Sequence, residues 1–249
     1  MKIDYPAEDQ LQELKQLWKE AFGDDDAYID CFFGTAFSPD RCRCVTVDGQ
    51  LAAGLYWLDC RCHDQPMAYL YAVATGKKFR KKGICSALME NTHALLSELG
   101  YAGAILVPGE ESLFDMYGKM GYECFGGMEH FTCKASEPTQ LQELTLEEYA
   151  QLRRQNLPDG GVIQEGETLD FLSRLVKFYQ ADGCIFCAEV NEDRLFCPEL
   201  LGDKSLAPQI TAALGGQTGI FRTAGSERFA MYLSFRDVAA PSYFGFSFD

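Results

Sequence analysis

The sequence predicts an α+β protein built as two successive halves. Three observations carry this. Apolar residues at helical spacing open the chain and give way to strand-like apolar runs. A polar, proline-bearing stretch then interrupts it, after which helical and strand-like segments recur in the same order. At 249 residues the chain can form one large domain or two small ones. Its 47% hydrophobic and 24% charged content is that of an ordinary globular protein.

Leu11, Leu14, Leu17, Trp18 and Ala21 keep helical spacing, and Pro6-Ala7-Glu8-Asp9 supplies a start signal for that helix. Residues 26–37, with Tyr28, Ile29, Phe32, Phe33 and Phe37, predict a second helix. Strands follow at 41–47 and 51–62, joined by Asp48-Gly49 as a two-residue hairpin turn. That turn sets Cys44 opposite Ala53 and Cys42 opposite Leu55. Residues 67–74 read as an apolar strand. Ile84, Ala87, Leu88, Leu95, Leu96 and Leu99 mark the helix after it. A short strand at 101–107 is closed by Pro108-Gly109, and a short helix at 112–120 precedes a strand at 122–133. The polar stretch at 134–140 marks a boundary, giving domains at 1–135 and 141–249. In the second, helices are expected at 146–156 and 168–180, strands at 183–190 and 194–199, a helix at 206–214, and strands to the end.

The formal net charge is −15, which disfavours nucleic acid and anionic membranes as partners and suits a cationic substrate. The first residues lack the apolar core of a signal peptide, and no run approaches the roughly 18 apolar residues of a membrane span. A cytoplasmic protein is expected. The eleven cysteines are odd in number in a large chain and read as buried reduced thiols. Cys42-x-Cys44 and Cys60-x-Cys62 resemble paired ligand arms, but the hairpin register separates them. Cys184 and Cys187 fall within an apolar strand. No Gly-x-Ser-x-Gly, His-Glu-x-x-His or EF-hand pattern occurs, and His63, His93 and His130 are scattered, so no metal is expected.

Against this acidic background, Lys77-Lys78-Phe79-Arg80-Lys81-Lys82-Gly83 places five of the 22 Lys and Arg residues in six positions. The run lies between an apolar strand and an amphipathic helix. A glycine-bearing loop there aims free backbone N–H groups and the positive end of the helix dipole at one spot, and the cations beside them suit a phosphate. The spacing is not that of a P-loop: Gly76 to Gly83 is too long, and Ile84-Cys85 follows. A solvated charged loop is the alternative from composition alone.

Arg80-Lys81-Lys82-Gly83-Ile84-Cys85 after an apolar strand resembles the acetyl-CoA signature of the GCN5-related N-acetyltransferase (GNAT) superfamily, Arg/Gln-x-x-Gly-x-Gly/Ala. Cys85 stands where that signature has Gly or Ala. Tyr117-Gly118-Lys119-Met120-Gly121-Tyr122 is similar to the family's Tyr-x-Lys-x-Gly-Phe/Tyr segment. The resemblance covers residues 1–133 and implies a GNAT fold, a mixed central sheet flanked by helices, followed by a degenerate GNAT-like half. It implies backbone at Val73, Ala74 and Thr75 holding the pantetheine arm. Lys81, Lys82, Gly83, Ile84, Cys85 and Ser86 would wrap the pyrophosphate, with Arg80 and Lys82 as charge partners, and Lys77 and Lys78 would lie near the ribose phosphate.

The activity implied is transfer of an acetyl group from acetyl-CoA to an amine, small-molecule or peptide, through a ternary complex. An alkylammonium of pKa ~10.4 must first lose a proton, which costs about 4–5 kcal/mol at pH 7. The departing thiolate must gain one, and by resemblance Tyr117 supplies it. Glu110 and Glu111 read as solvated carboxylates. The aromatic C-terminal stretch 242–249 is similar to that of tandem GNAT proteins of the enhanced-intracellular-survival type, whose terminal carboxylate enters the active site; this makes Asp249 the candidate base or substrate anchor. A non-catalytic CoA-binding protein of GNAT fold is the alternative, and oligomeric state is left open.

Overall fold

The computed structural model describes residues 1–248. Its first half runs β1 (Lys2–Asp4), α1 (Leu11–Phe22), α2 (Asp26–Thr35), β2 (Cys42–Val47), β3 (Gln50–Cys62), β4 (Gln65–Thr75), α3 (Ile84–Glu98), β5 (Gly103–Leu106), α4 (Glu111–Gly118) and β6 (Glu123–Lys134). The second runs β7 (Gln142–Leu144), α5 (Leu146–Asn156), β8 (Ile163–Gln164), α6 (Glu167–Leu172), β9 (Lys177–Ala181), β10 (Cys184–Asn191), β11 (Arg194–Gly202), α7 (Ala207–Ala213) and β12 (Thr218–Ser234). This is the mixed α+β architecture expected of a GNAT fold.

Strand order in the single mixed sheet is β1-β2-β3-β4-β5-β12-β11-β10-β9-β7, with β6 also on β12 and β8 on β3. Pairing is antiparallel except for β4 with β5 and β11 with β12. β6 follows β12 from Thr218↔Lys134 to Tyr232↔Glu123. The other edge of β12 is shared end to end: its first residues pair with β11, and Met231 to Ser234 pair with Leu106 to Gly103 of β5.

The β2–β3 hairpin turns at Asp48-Gly49 as the sequence indicates, but its register differs from the expected one. A bulge lets Val45 face Ala53 while Thr46 faces Leu51, so Cys44 lies opposite Gly54 and Cys42 opposite Tyr56. The helix expected at 168–180 ends at Leu172. Beyond it Lys177 to Ala181 pair with β10, where Phe178 stacks on Tyr149 at 4.5 Å. The β-branched and aromatic run Val176-Lys-Phe-Tyr thus takes the strand it favours. The C-terminal strands merge into one, β12.

Both faces of the first-half sheet are covered. Leu55 and Trp57 of β3 point to α3 and α4, with Leu70, Leu88, Met89 and Leu106. The alternate residues Tyr56 and Leu58 point to α1 and α2, into a core continuous with α5, α6 and the last residues of the chain. Three buried aromatics, Tyr243, Phe244 and Phe246, bring those residues into that shared core.

They are held there by one buried ion pair. Arg153 of α5 and Glu199 of β11 are 2% and 0% exposed at the side chain and meet through two contacts, Nε–Oε2 at 2.7 Å and Nη2–Oε1 at 3.0 Å. Tyr149 and Tyr243 each donate to Glu199 at 3.0 Å, and burial and the Glu199 charge keep both phenols protonated. Arg153 also donates to Val162 O and Gln164 Oε1, while Gln164 pairs with both backbone groups of Phe246. A Cβ at Gly245 would overlap the Glu199 carboxylate, so only glycine lets the backbone pass.

Glu199→Gln leaves the Arg153 charge buried without its partner, and a loss of about 3–5 kcal/mol of stability is expected in urea unfolding. Arg153→Met combined with Glu199→Leu recovers a large part of that loss, because no lone charge remains.

Candidate active site

β4 and β5 are paired in parallel only at Met67↔Gly103, Ala68↔Ala104 and Tyr69↔Ile105. Beyond Tyr69 they part. The cause lies within β4: Gly54 faces Ala74 but Tyr56 faces Tyr71, so β4 holds one extra residue in a bulge, and Ala72 takes a positive φ of 48°. From Leu70 to Thr75 the strand keeps β3 on one side and presents its other edge to a cleft. Val73, Ala74 and Thr75 lie along that stretch.

The chain then enters the basic loop. Arg80 Nε donates to Thr75 O at 2.9 Å, the Lys77 N–H donates to Glu20, and Lys78 Nζ donates to Gln50 at 2.6 Å. Phe79 is buried beneath, with the Lys78 and Lys82 ammonium groups over its ring. Lys81 and Gly83 adopt φ of 61° and 75°, which turns the loop onto the first residue of α3. The first helical N–H to find a backbone acceptor is that of Ala87, on Gly83 O. The preceding donors at Ile84, Cys85 and Ser86 therefore face outward, beside the exposed Arg80, Lys81 and Lys82. No atom lies within 4 Å of where a Gly83 Cβ would stand, so the loop crown is open. Free donors, three cations and an open crown fit the pyrophosphate of a CoA molecule.

Tyr117 projects from α4 into the cleft and is 6% exposed. Burial, then the nearby Cys85 thiol, raises its pKa, which holds it as the neutral phenol. Burial also raises Cys85 itself, while a hydrogen bond with Thr75 works against that. Cys85 is thus an un-ionised thiol between the loop and Tyr117. Behind them, Tyr122 packs edge-on to Tyr117 at 5.7 Å and shares a 2.8 Å hydrogen bond with His93 Nε2.

The cleft opens into a cavity of about 570 Å³. Leu70, Val73, Leu106, Val107 and Tyr117 line the part of it between β4, β5 and α4. Trp18 and Phe22 of α1, Asp24 of the turn after it, Tyr28 of α2, and Glu189, Phe196 and Phe248 line the rest. Tyr28 and Tyr71, 2.8 Å apart at their hydroxyls, both lie 3.0 Å from the Phe248 carbonyl oxygen. The sequence reading did not single out Tyr28, Tyr71, Trp18, Asp24 or Glu189 for the site. They come from four separate elements and the turn between α1 and α2, so no spacing pattern links them. Asp249 lies outside the described residues. Glu110 accepts from Ser112, Glu111 pairs with Arg228, both carboxylates are exposed, and neither lines the cavity.

A sequence model of the acetyltransferase (GNAT) domain matches residues 2–125. The chain belongs to the GNAT superfamily. The GNAT fold extends over both halves. A GCN5-related N-acetyltransferase from Kribbella flavida superposes with a TM-score of 0.70 at 14% identity, over 93% of this chain and 70% of that one. A GCN5-related N-acetyltransferase from Anabaena variabilis gives 0.68 at 18% identity, over 93% and 72%. Eis1 from Mycobacterium abscessus gives 0.68 at 11% identity, over 94% and 74%. No curated protein sequence matches significantly. Among the described residues no cluster of three or more His, Cys, Asp or Glu could hold a metal ion, and no helix is long and apolar enough to cross a membrane.

The half-buried His93 gives this region a pH signature. Burial pulls its pKa from 6.5 to about 4, and Glu90 and Lys119 line the same small pocket. Between those values the unfolded chain binds a proton that the native one does not. Stability should therefore fall as pH drops from 6.5 towards 4, by at most about 1.4 kcal/mol per pH unit from this group. Urea unfolding at a series of pH values should show this slope, and His93→Gln should flatten it.

Proposed function

We propose that the protein transfers the acetyl group of acetyl-CoA to an amine within a ternary complex. The observation that carries this is the parting of β4 from β5 after Tyr69, with Tyr117 at the cleft and the basic loop at its outer end. A thioester arm needs such a passage: exposed strand edge on one side, phosphate donors outside, and a proton source within.

Acetyl-CoA supplies an activated acetyl thioester. The free edge of Val73, Ala74 and Thr75 offers backbone groups to the amides of its pantetheine arm, and one N–H of this stretch steadies the charge that builds on the thioester oxygen. Arg80, Lys81 and Lys82, with the backbone from Gly83 to Ser86, hold the pyrophosphate. The amine nitrogen forms the new C–N bond as the C–S bond breaks. Its proton passes to a base, and Tyr117 donates its own proton to the departing sulfur. A raised pKa suits this role, because the phenol is always protonated when the thiolate leaves.

For the base, the reading favours Asp249. Its neighbour Phe248 is anchored in the cavity wall by Tyr28 and Tyr71. The second half closes the acceptor side through Glu189 and Phe196, which supports its assignment as a degenerate GNAT-like domain spanning 141–249. The cytoplasm fits a CoA-dependent reaction.

Tyr117→Phe should lower kcat by about 10²–10⁴-fold in a thiol-release assay while leaving acetyl-CoA affinity unchanged in calorimetry. Affinity lost with turnover would remove Tyr117 from the chemistry. A wild-type protein that binds acetyl-CoA yet releases no thiol with any amine would favour a binding module instead. Deletion of Asp249 should cost about 10²-fold or more in kcat/KM, with the profile shifted to higher pH; unchanged kinetics would end its role as base.

A further inference from the structure

The acceptor side of the cavity has a chemistry of its own. Its walls are aromatic and aliphatic: Trp18, Phe22, Tyr28, Phe196, Leu172 and Val176. Two carboxylates interrupt them. Asp24 is held in place by the Trp18 indole N–H, 2.7 Å from Oδ2, and Glu189 comes from the end of β10. Among the described lining residues there is no Lys or Arg. Arg222 lies behind the wall, its guanidinium over Phe196 at 5.2 Å and donating to Ser247 Oγ at 3.0 Å. The apolar lining continues outward, since Phe22 is 49% exposed at the rim and Val190, next to Glu189, is 41% exposed.

We infer that the acceptor is a small arylalkylamine, one ammonium carried on an aromatic or branched apolar body. This rests on the acetyl-transfer reading above and names its substrate class. Aromatic faces attract an organic cation and the apolar walls gain from burying its body. Asp24 and Glu189 supply the negative charge that one ammonium needs, whereas the third ammonium of spermidine, or the fourth of kanamycin, would be desolvated against hydrocarbon with no carboxylate left to meet it. An aminosugar would bury a ring of hydroxyls against walls that are mainly hydrocarbon, where the few polar groups cannot partner them all. Size points the same way. The cavity of about 570 Å³ must also admit the thioester end of the cofactor, so a small acceptor can be held wholly within it while a larger one would project past Phe22 into solvent.

Calorimetric titration of the intact protein with 2-phenylethylamine, without acetyl-CoA, tests this apart from catalysis. The amine should bind at least about tenfold more tightly than 2-phenylethanol, spermidine or kanamycin, the difference expected for one compensated charge on an apolar body. Asp24→Asn, which keeps an acceptor for the Trp18 indole, should lose about tenfold in affinity for the amine and nothing for the alcohol. Glu189→Gln, the second carboxylate of the lining, gives the same comparison should Asp24→Asn fail to fold. Equal binding of alcohol and amine, tighter binding of spermidine or kanamycin, or unchanged affinity in the folded variant would overturn the inference. Because no acetyl transfer is read, a failure of the transferase reading registers separately, in the thiol-release assay.

Discussion

The outer edge of β5 is the constraint on which the rest of this molecule depends. β5 is four residues long, and its backbone groups on that side are satisfied by Met231 to Ser234 of β12. A parallel sheet edge left open would carry unpaired N–H and C=O groups beside a hydrophobic core. The first half therefore takes a strand from the far end of the chain. Since β12 also pairs with β11 and β6, the same segment joins the two halves into one sheet. The cleft exists because β5 is fixed on this side while β4 bends away on the other.

The second half repeats the first without its opening. β11 and β12 are parallel, as β4 and β5 are, and β11 also has an irregularity, between Cys197 and Leu200. There, however, pairing resumes at Leu200↔Thr223, and the strands stay together. The turn into α7, through Asp203, Lys204 and Ser205, has one cation where the first half has five. This half contributes walls and a fastening: Phe196 and Glu189 to the cavity, Arg153 and Glu199 to the last residues of the chain.

The local architecture was legible in the sequence because each element of the first half carries its own signal. The basic loop and Tyr117 stood out for the same reason, one by charge density and one by its glycine-bounded segment. What escaped were features that depend on distant pairing. The Ala72 bulge has no glycine to announce it, and the bulge opposite Val45 moved the hairpin register by one residue. Lys177 to Ala181, strand-favouring but without a turn signal to part them from α6, are fixed as a strand by β10 and β7 on either side. The cavity wall away from β5 draws on Trp18, Tyr28, Tyr71 and Glu189 from different elements, so no local window could show it. β8 and β7, two and three residues long, are too short to give a periodic signal.

The borrowing of β12 by β5 also bears on how the chain is made. A ribosome releases β5 long before β12, so the nascent first half waits with a bare sheet edge and an unclosed cleft. Contacts between such distant segments form late, after the entropy of a long loop has been overcome. During that interval the exposed edge is a template for the wrong strand, from another copy or another nascent chain. Yield in a cell would then be governed by chaperone supply and by the pace of translation through the second half more than by the stability of the finished sheet.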